Sequence, residues 1–362
     1  MPTAITQIAG RKVAAEKIPS WWEIEKIWYP KHLSLEQCSS EITARYKARL
    51  LQGDSLTDLT GGFGIDCSFL ATGFKSATYV ERQEELCEIA AHNFPVLNLN
   101  HINIKNEDGV TYLQAMSPVD CLFLDPARRN EHGGKTVAIS DCEPNVAELE
   151  ELLLQKANRV MIKLSPMLDL SLALKELKQT QEVHILSVNN ECKELLILLG
   201  QTSPAEISIH CVNLFTKGTQ KNNTLYSTRE QEQCSECTYT DSLETYLYEP
   251  NASLLKAGAF RSIAAAYPVR KLHPNSHLYT SDTFIENFPG RIFRIVNQCS
   301  FNKKEVKENL ADLKKANVTV RNFPATVAEL RKRIHLAEGG DTYLFASTLN
   351  NGQKVLIRCE KV

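Results

Sequence analysis

The stretch TDLTGGFGIDCSFLA, residues 57–71, decides the fold. A short apolar run delivers Asp58, glycines follow at 61, 62 and 64, and helical spacing begins at once. Glycine lets the backbone turn sharply and lie close against a ligand, and the helix that follows opens with free N–H groups. The G-G-x-G spacing is not the G-x-G-x-x-G of dinucleotide folds, and no Gly-Lys-Ser/Thr follows, so a phosphate loop is excluded. An acid just before the glycines repels a pyrophosphate and favours a cationic or hydroxyl-bearing ligand.

Outward from this point, strand-like and helix-like segments alternate. SLTDL (55–59), SATYVE (76–81), HINIKN (101–106), VDCLFLD (119–125), RVMIKLS (159–165) and EVHILSV (182–188) read as strands, and EISIHCVNLF (206–215) as the last one. Helical periods over 65–72, 83–93 and 146–156 separate them. Such alternation predicts crossover units and a mostly parallel sheet covered on both faces. The second strand ends in Glu81, placed to accept from ribose hydroxyls.

Those residues, in that order, resemble the class I S-adenosylmethionine (SAM) methyltransferases over roughly residues 53–215. The resemblance implies that Asp58, Thr60, Gly61, Gly62 and Gly64 line the methionine and ribose part of SAM, with Glu81 as the ribose-binding acid and Arg82 beside it. In NEDG (106–109), Asp108 would accept from the adenine amino group and the backbone at Gly109 would approach the ring. Two bland readings stand beside these: Asp66 as a residue favouring the helix start, and Asp108 as an N-cap for a helix over 110–116.

The segment VDCLFLDPARRNEHGGK (119–135) carries the reaction-specific residues. A buried strand ends at Asp125, and Pro126 fixes the backbone at the carboxyl edge of the sheet, where open α/β sheets bind ligands. DPAR resembles the D/N-P-P-x motif of methyltransferases acting on exocyclic or ring nitrogens, which implies Asp125, Pro126 and Arg128 as catalytic-loop residues. Ala127 replaces the second proline and Arg128 stands where many such enzymes carry a stacking aromatic. Arg129 and Lys135 in the same loop suit a substrate phosphate or base. The D-P-P-R motif of uracil-C5 RNA methyltransferases is also similar, but those need a cysteine nucleophile after the next strand, and KLSPMLD (163–169) has none.

Composition bounds the rest. The 362 residues are 43% hydrophobic and 23% charged, globular values that predict two or three domains. The net charge of -2 conceals a step: from Lys256 onward there are 18 Lys and Arg against 9 Asp and Glu, leaving 23 against 34 before it. The start, MPTAITQIAGRKVAAEK, lacks the order of a secretory signal, which predicts a cytoplasmic protein with no membrane contact and eleven reduced cysteines. Cys234 and Cys237 form a lone C-x-x-C for which His210 and Cys211 are the only upstream completion, so no metal is expected. The remaining histidines, His184 in a strand among them, read as packing or surface residues.

The C-terminal part reads β-α-β-α-β-β, with Lys303, Lys304, Lys307, Lys314 and Lys315 on one helix and Arg331, Lys332 and Arg333 on another. With VRNFPATVAELRKRIHLAEGGDTYLFAST (320–348) and a segment beginning near YEPNASLLKAG (248–258), it resembles the THUMP-like domain attached to a bacterial methyltransferase family. That resemblance implies an RNA partner, tRNA or rRNA, with Lys303, Lys304, Arg331 and Arg333 as phosphate contacts. The expected architecture is therefore α/β: a helical lead-in (1–50), a Rossmann-like class I methyltransferase sheet (51–216), a linker and the start of a ferredoxin-like segment (217–255), and a basic α+β ferredoxin-like/THUMP-like domain (256–362). The expected function is SAM-dependent methylation of an RNA base nitrogen. A protein or small-molecule methyltransferase, or a non-catalytic RNA-binding relic, are the alternatives.

Overall fold

The N-terminal segment forms helices α1 (Ala4–Lys17), α2 (Pro19–Trp22), α3 (His32–Gln37) and α4 (Glu41–Lys47) in a computed structural model that describes residues 3–128, 138–202, 204–216 and 223–362. These helices do more than lead in. Ala14, Ile18, Trp21, Ile27 and Tyr29 bury against Phe63 of the glycine loop and against Ile65 and Ile89 of the helices that cover the sheet, with the Trp21 and Phe63 rings edge to face at 5.2 Å. Phe63 sits among the glycines of the opening motif, so the apolar burial that anchors this loop comes from the N-terminal segment. Burial of an aromatic of this size is worth about 1.5–3 kcal/mol.

The chain then alternates as β1 (Ser55–Asp58), α5 (Ile65–Ala71), β2 (Ser76–Glu81), α6 (Glu84–Val96), β3 (Ile102–Asn106), α7 (Gly109–Ala115) and β4 (Val119–Leu124). The short strands β5 (Ala127–Arg128) and β6 (Cys142–Glu143) pair with each other, and α8 (Val146–Lys156), β7 (Ala157–Leu164), α9 (Leu170–Glu176), β8 (Thr180–Val188), β9 (Glu191–Gly200) and β10 (Ser208–Leu214) complete the unit. Eight strands of the nine-stranded sheet run in the order β10-β8-β9-β7-β4-β1-β2-β3. Strands β7, β4, β1, β2 and β3 run parallel. Chain order reverses between β1 and β4, and the carboxyl ends of that pair are where such sheets leave a crevice.

The expected strand list lacked β9, which inserts antiparallel between β7 and β8. Its run LLILL is buried on both faces and has no alternation to mark it. Asn189 and Asn190 turn the hairpin, both with positive φ, which asparagine tolerates.

The molecule divides into two compact units, Met1–His210 with Leu214–Gln220, and Lys221–Val362 with Cys211–Asn213. Inside the second, the segment expected to be a linker contains a strand, Asn223–Ser227, and a short helix, Arg229–Cys234. Its seven-stranded sheet runs in the order Arg270–Lys271, Tyr279–Ser281, Tyr246–Pro250, Gly290–Ser300, Lys354–Lys361, Ala337–Thr348, Lys315–Val320. The terminal β-α-β-α-β-β order is as read. Lys314 and Lys315 are not on the helix, which ends at Leu310: Leu313 turns into the core and Lys315 starts a strand that buries Ala316. Among the described residues no helix is long and apolar enough to cross a membrane.

Candidate active site

Strand β1 ends on Asp58, and the chain needs a tight turn to enter α5. Gly62 and Gly64 supply it with φ of 54° and 85°, Gly64 serving as the N-cap of α5. Gly61 is required for space: a Cβ there would stand 2.2 Å from the Tyr79 ring. The loop is then stitched to its neighbours. Gly61 N–H donates to the Val80 carbonyl at 2.8 Å, and Gly62 N–H donates to Glu81 Oε2 at 2.9 Å. The other Glu81 oxygen accepts from Gln83 N–H at 2.8 Å, so the acid at the end of β2 is also a brace for the loop.

Asp58 is buried, with 1% exposure. Its Oδ1 accepts from Thr60 N–H at 3.0 Å, but Oδ2 has no partner among the described residues. Burial pushes its carboxyl up to about 8; the Thr60 amide opposes this, and Asp66, Asp125 and Glu81 add to it. An unpartnered buried carboxylate oxygen is costly unless something else pairs with it. Thr60 also ties β1 to β4, its hydroxyl accepting from Asp125 N–H at 2.6 Å.

Asp108 caps α7, accepting from Val110 and Thr111 N–H at 3.0 Å each, so the N-cap reading holds for one of its oxygens. Beside it, a Cβ on Gly109 would stand 2.2 Å from the Leu59 carbonyl oxygen, which explains glycine there. Arg82 faces Glu143 at 3.5 Å, both exposed.

Asp58, Thr60, Gly61, Gly62, Gly64, Glu81, Arg82, Asp108, Gly109, Asp125 and Pro126 all line one cavity of about 2810 Å³. A small-molecule site occupies roughly 300–1,000 Å³, so this space exceeds the needs of one cofactor. Part of its remaining wall comes from the N-terminal segment, including Lys12, Lys17, Ser39 and Arg45, and part from later elements, including Glu148, Ser165 and Asn189. Of the loop residues expected to act, only the backbone of Arg128 is described, paired with Cys142. Arg129 and Lys135 lie outside the described residues.

At the base of the cavity lies an ion-pair cluster that the sequence did not disclose. Lys163 Nζ on β7 meets Asp125 Oδ2 at 2.5 Å, Ser39 Oγ at 3.1 Å and Asp66 Oδ2 at 3.5 Å. Lys47, on α4 and fully buried, meets Asp66 Oδ1 at 2.8 Å, Glu194 at 2.7 Å and Ser39 Oγ at 2.7 Å. Asp66 is thus a member of this cluster and not only a helix-start residue. Burial works against its charge, yet Lys47 and Lys163 prevail and hold its carboxyl at about 2. Burial likewise raises the Asp125 carboxyl, with Lys163 the largest influence opposing it. A visible signal did exist: lysine and glutamate inside VMIKL and KELLILL are anomalies in buried strands.

A second polar cluster, also unforeseen, joins β8 to β10. The ligand-type atoms of Glu182, His184 and His210 lie within 4.8 Å of one another. The two imidazoles stack at 4.0 Å with 20° between their planes, and His184 Nε2 and His210 Nε2 both face Glu182 Oε2, at 3.2 and 3.9 Å. His184 Nδ1 meets the Tyr46 hydroxyl at 2.8 Å, and Glu182 is paired with Arg159 at 2.7 Å. Burial and His184 lower His210 to about 4. Among the described residues, Cys234 and Cys237 belong to no group of metal-ligand proximity.

In the second unit Lys303 and Lys304 are exposed on the helix Lys303–Leu310. Arg333 lies 4.0 Å over the Phe301 ring and Arg331 pairs with Glu338 at 3.3 Å.

Comparison with known proteins agrees with this architecture. Residues 246–289 match a ferredoxin-like domain family and residues 290–361 a THUMP domain-like family. No curated protein sequence matches the chain. The crystal structure of a protein assigned as a methyltransferase, from Porphyromonas gingivalis W83, superposes with a TM-score of 0.89 at 37% identity, over 99% of this chain and 89% of that one. An rRNA methylase from Streptococcus thermophilus is similar over 44% of this chain and 93% of its own, at 14% identity and a TM-score of 0.32. A likeness of that degree says nothing about what this chain acts on. The full-length match and the paired C-terminal modules together place the chain: it belongs to the class I SAM-dependent methyltransferases that carry ferredoxin-like and THUMP-like C-terminal domains.

Proposed function

We propose that this SAM-dependent methyltransferase modifies a base nitrogen of RNA, in tRNA or rRNA. The observation that carries the reading is the placement of Asp125 and Pro126, at the carboxyl end of β4, in the same cavity as the glycine loop and the unpartnered Asp58 oxygen.

The residues suit the cofactor. A buried carboxylate oxygen without a partner, beside backbone brought close by Gly61 and Gly109, fits a cationic, hydroxyl-bearing ligand better than a phosphate. Asp58, the glycine loop, Glu81, Arg82, Asp108 and Gly109 would hold SAM, which supplies an electrophilic methyl group when bound. Asp125 does the chain's share of the chemistry. Its carboxylate accepts from the N–H of the acceptor, which turns the nitrogen lone pair toward the methyl donor, and Pro126 fixes the backbone from which it acts. No cysteine stands in the segment directly after β7, residues 165–169, so direct transfer is favoured over a covalent route through that position. Lys303, Lys304, Arg331 and Arg333, together with the net charge of the basic part, support an RNA partner, because phosphate neutralisation supplies most sequence-independent affinity.

Incubation with labelled SAM and total RNA from cells lacking the gene tests the reading. Label should enter one nucleoside with the wild-type protein and none with Asp125→Ala, which should still bind SAM by calorimetry. Label in protein or small molecules and none in RNA would replace the substrate class.

A further inference from the structure

We infer that Lys163 is the positioning residue for Asp125, and that it does so through a clamp closed by the N-terminal segment, so that helix α4 and the chain before it are part of the acceptor site.

The inference rests on the methyltransferase reading of Asp125 and adds what orients it. Asp125 stands where the sheet ends, and its side chain keeps 35% of its surface open to the cavity. A carboxylate so placed has rotational freedom unless a partner holds it. Lys163 does, at 2.5 Å, from a strand adjacent to β4. A lysine is flexible in turn, and this one is held by two further contacts, Ser39 Oγ and Asp66 Oδ2. Ser39 is itself held: it donates to Asp66 at 2.7 Å and accepts from Lys47 at 2.7 Å. Lys47 is locked between Asp66 and Glu194. The chain of contacts runs from β9 through α4 to α5 and β7, and ends on Asp125 Oδ2, which leaves the other oxygen of that carboxylate for the acceptor.

Charge explains why a lysine is used. The groups around the Asp125–Lys163 pair are Asp58, Asp66 and Glu194 on the acidic side and Lys47 on the basic side. Without Lys163, Asp125 would be a half-buried carboxyl beside Asp58 and Asp66, with Lys47 as the remaining cation of the cluster. The Asp125 carboxyl would be pushed further up, toward the protonated form, which donates where an acceptor is needed. With Lys163 in place Oδ2 is held as the acceptor in an ion pair, and a carboxylate so held selects a substrate nitrogen that carries hydrogen, an amino or imino N–H. A bare ring nitrogen is refused.

The full-length protein labelled with ¹³C at aspartate Cγ gives a test that needs no RNA, the Asp125 signal being identified by its loss in Asp125→Asn. In Lys163→Met its titration midpoint should rise by about one pH unit or more, and Lys163→Arg should keep it near the wild-type value. An unchanged midpoint in Lys163→Met overturns the inference. Should Lys163→Met not fold, the reciprocal signal decides: the Lys163 Nζ resonance must move in Asp125→Asn, and an unmoved one overturns it. In turnover with the RNA probe above, Lys163→Met should lose roughly 100-fold in kcat with the SAM Kd within about twofold, and the acid limb of its pH profile should move alkaline. Failure of the wild type to label RNA would remove the RNA reading and leave the titration result standing.

Discussion

Lys47→Met offers a direct measure of how far the buried cluster holds the first unit together. The lysine side chain is fully buried, and it is the cation nearest to both Asp66 and Glu194, whose side chains are 11% and 8% exposed. Methionine fills similar volume, so the loss is one of charge. Wild type sets two cations, Lys47 and Lys163, against Asp66, Asp125 and Glu194. The variant leaves one cation, already engaged at 2.5 Å with Asp125, for all three carboxylates. Breaking a buried pair in this way costs about 3–5 kcal/mol. With a urea dependence of about 3 kcal/mol per molar, the midpoint should fall by roughly 1–1.7 M. The three tryptophans, Trp21, Trp22 and Trp28, all lie in the first unit, so their fluorescence reports its unfolding without interference from the second. Lys47→Met/Glu194→Gln removes one charge of each sign and should recover about half of the loss. A midpoint shift below about 0.3 M, or no recovery in the double variant, would refute a cluster held by charge pairing.

Four further outcomes follow from the same geometry. Gly109→Ala places a Cβ against the Leu59 carbonyl and should weaken SAM binding roughly 10- to 100-fold by calorimetry, with the fold retained by circular dichroism. Because the Asp58 carboxyl sits near 8, a cationic cofactor should bind more tightly as pH rises from 6 to 9, with about tenfold per unit below the midpoint and proton release on binding. Asp58→Asn should flatten that dependence. His210 is neutral in the fold down to about 4 but protonates near 6.5 once unfolded, so the unfolded state binds more protons between those values. Stability of the first unit should therefore be full above about 6.5 and fall as the pH drops toward 4, with a shallower slope in His210→Phe. RNA binding should weaken steeply between about 50 and 200 mM salt, and Lys303→Ala/Lys304→Ala should reduce the salt slope; a flat response argues for another substrate class.

Much of the first unit was legible because its signals are local. The glycines of the opening motif declare their turn through backbone conformation, and Gly62 and Gly64 take the positive φ that only such residues adopt without strain. Strands β1, β2, β3, β4, β7 and β8 stand out as apolar runs between turns. The terminal hairpin shows itself in Asn350, Asn351 and Gly352. β9 has no local signature because a strand buried on both faces has no period, and the helical pattern runs on past Leu310 in the sequence because only tertiary burial of Leu313 and Ala316 ends the helix. The N-cap role of Asp108 is legible in its position before α7, whereas the brace from Glu81 to the glycine loop is not, because it joins the ends of two strands.

By itself the sequence determined which chemistry the chain carries, because the order of acid, glycines, second acid and Asp125-Pro126 is set by local backbone needs that any neighbouring residues can read. Tertiary structure alone decided what stands beside Asp125. Ser39, Lys47, Asp66, Lys163 and Glu194 are scattered over more than 150 positions of chain, and no spacing rule links them. They meet because β7 lies next to β4 and β9 next to β7, while α4 packs against α5 over the glycine loop. Once buried together, charges that would be indifferent on a surface have no water to turn to and must satisfy one another.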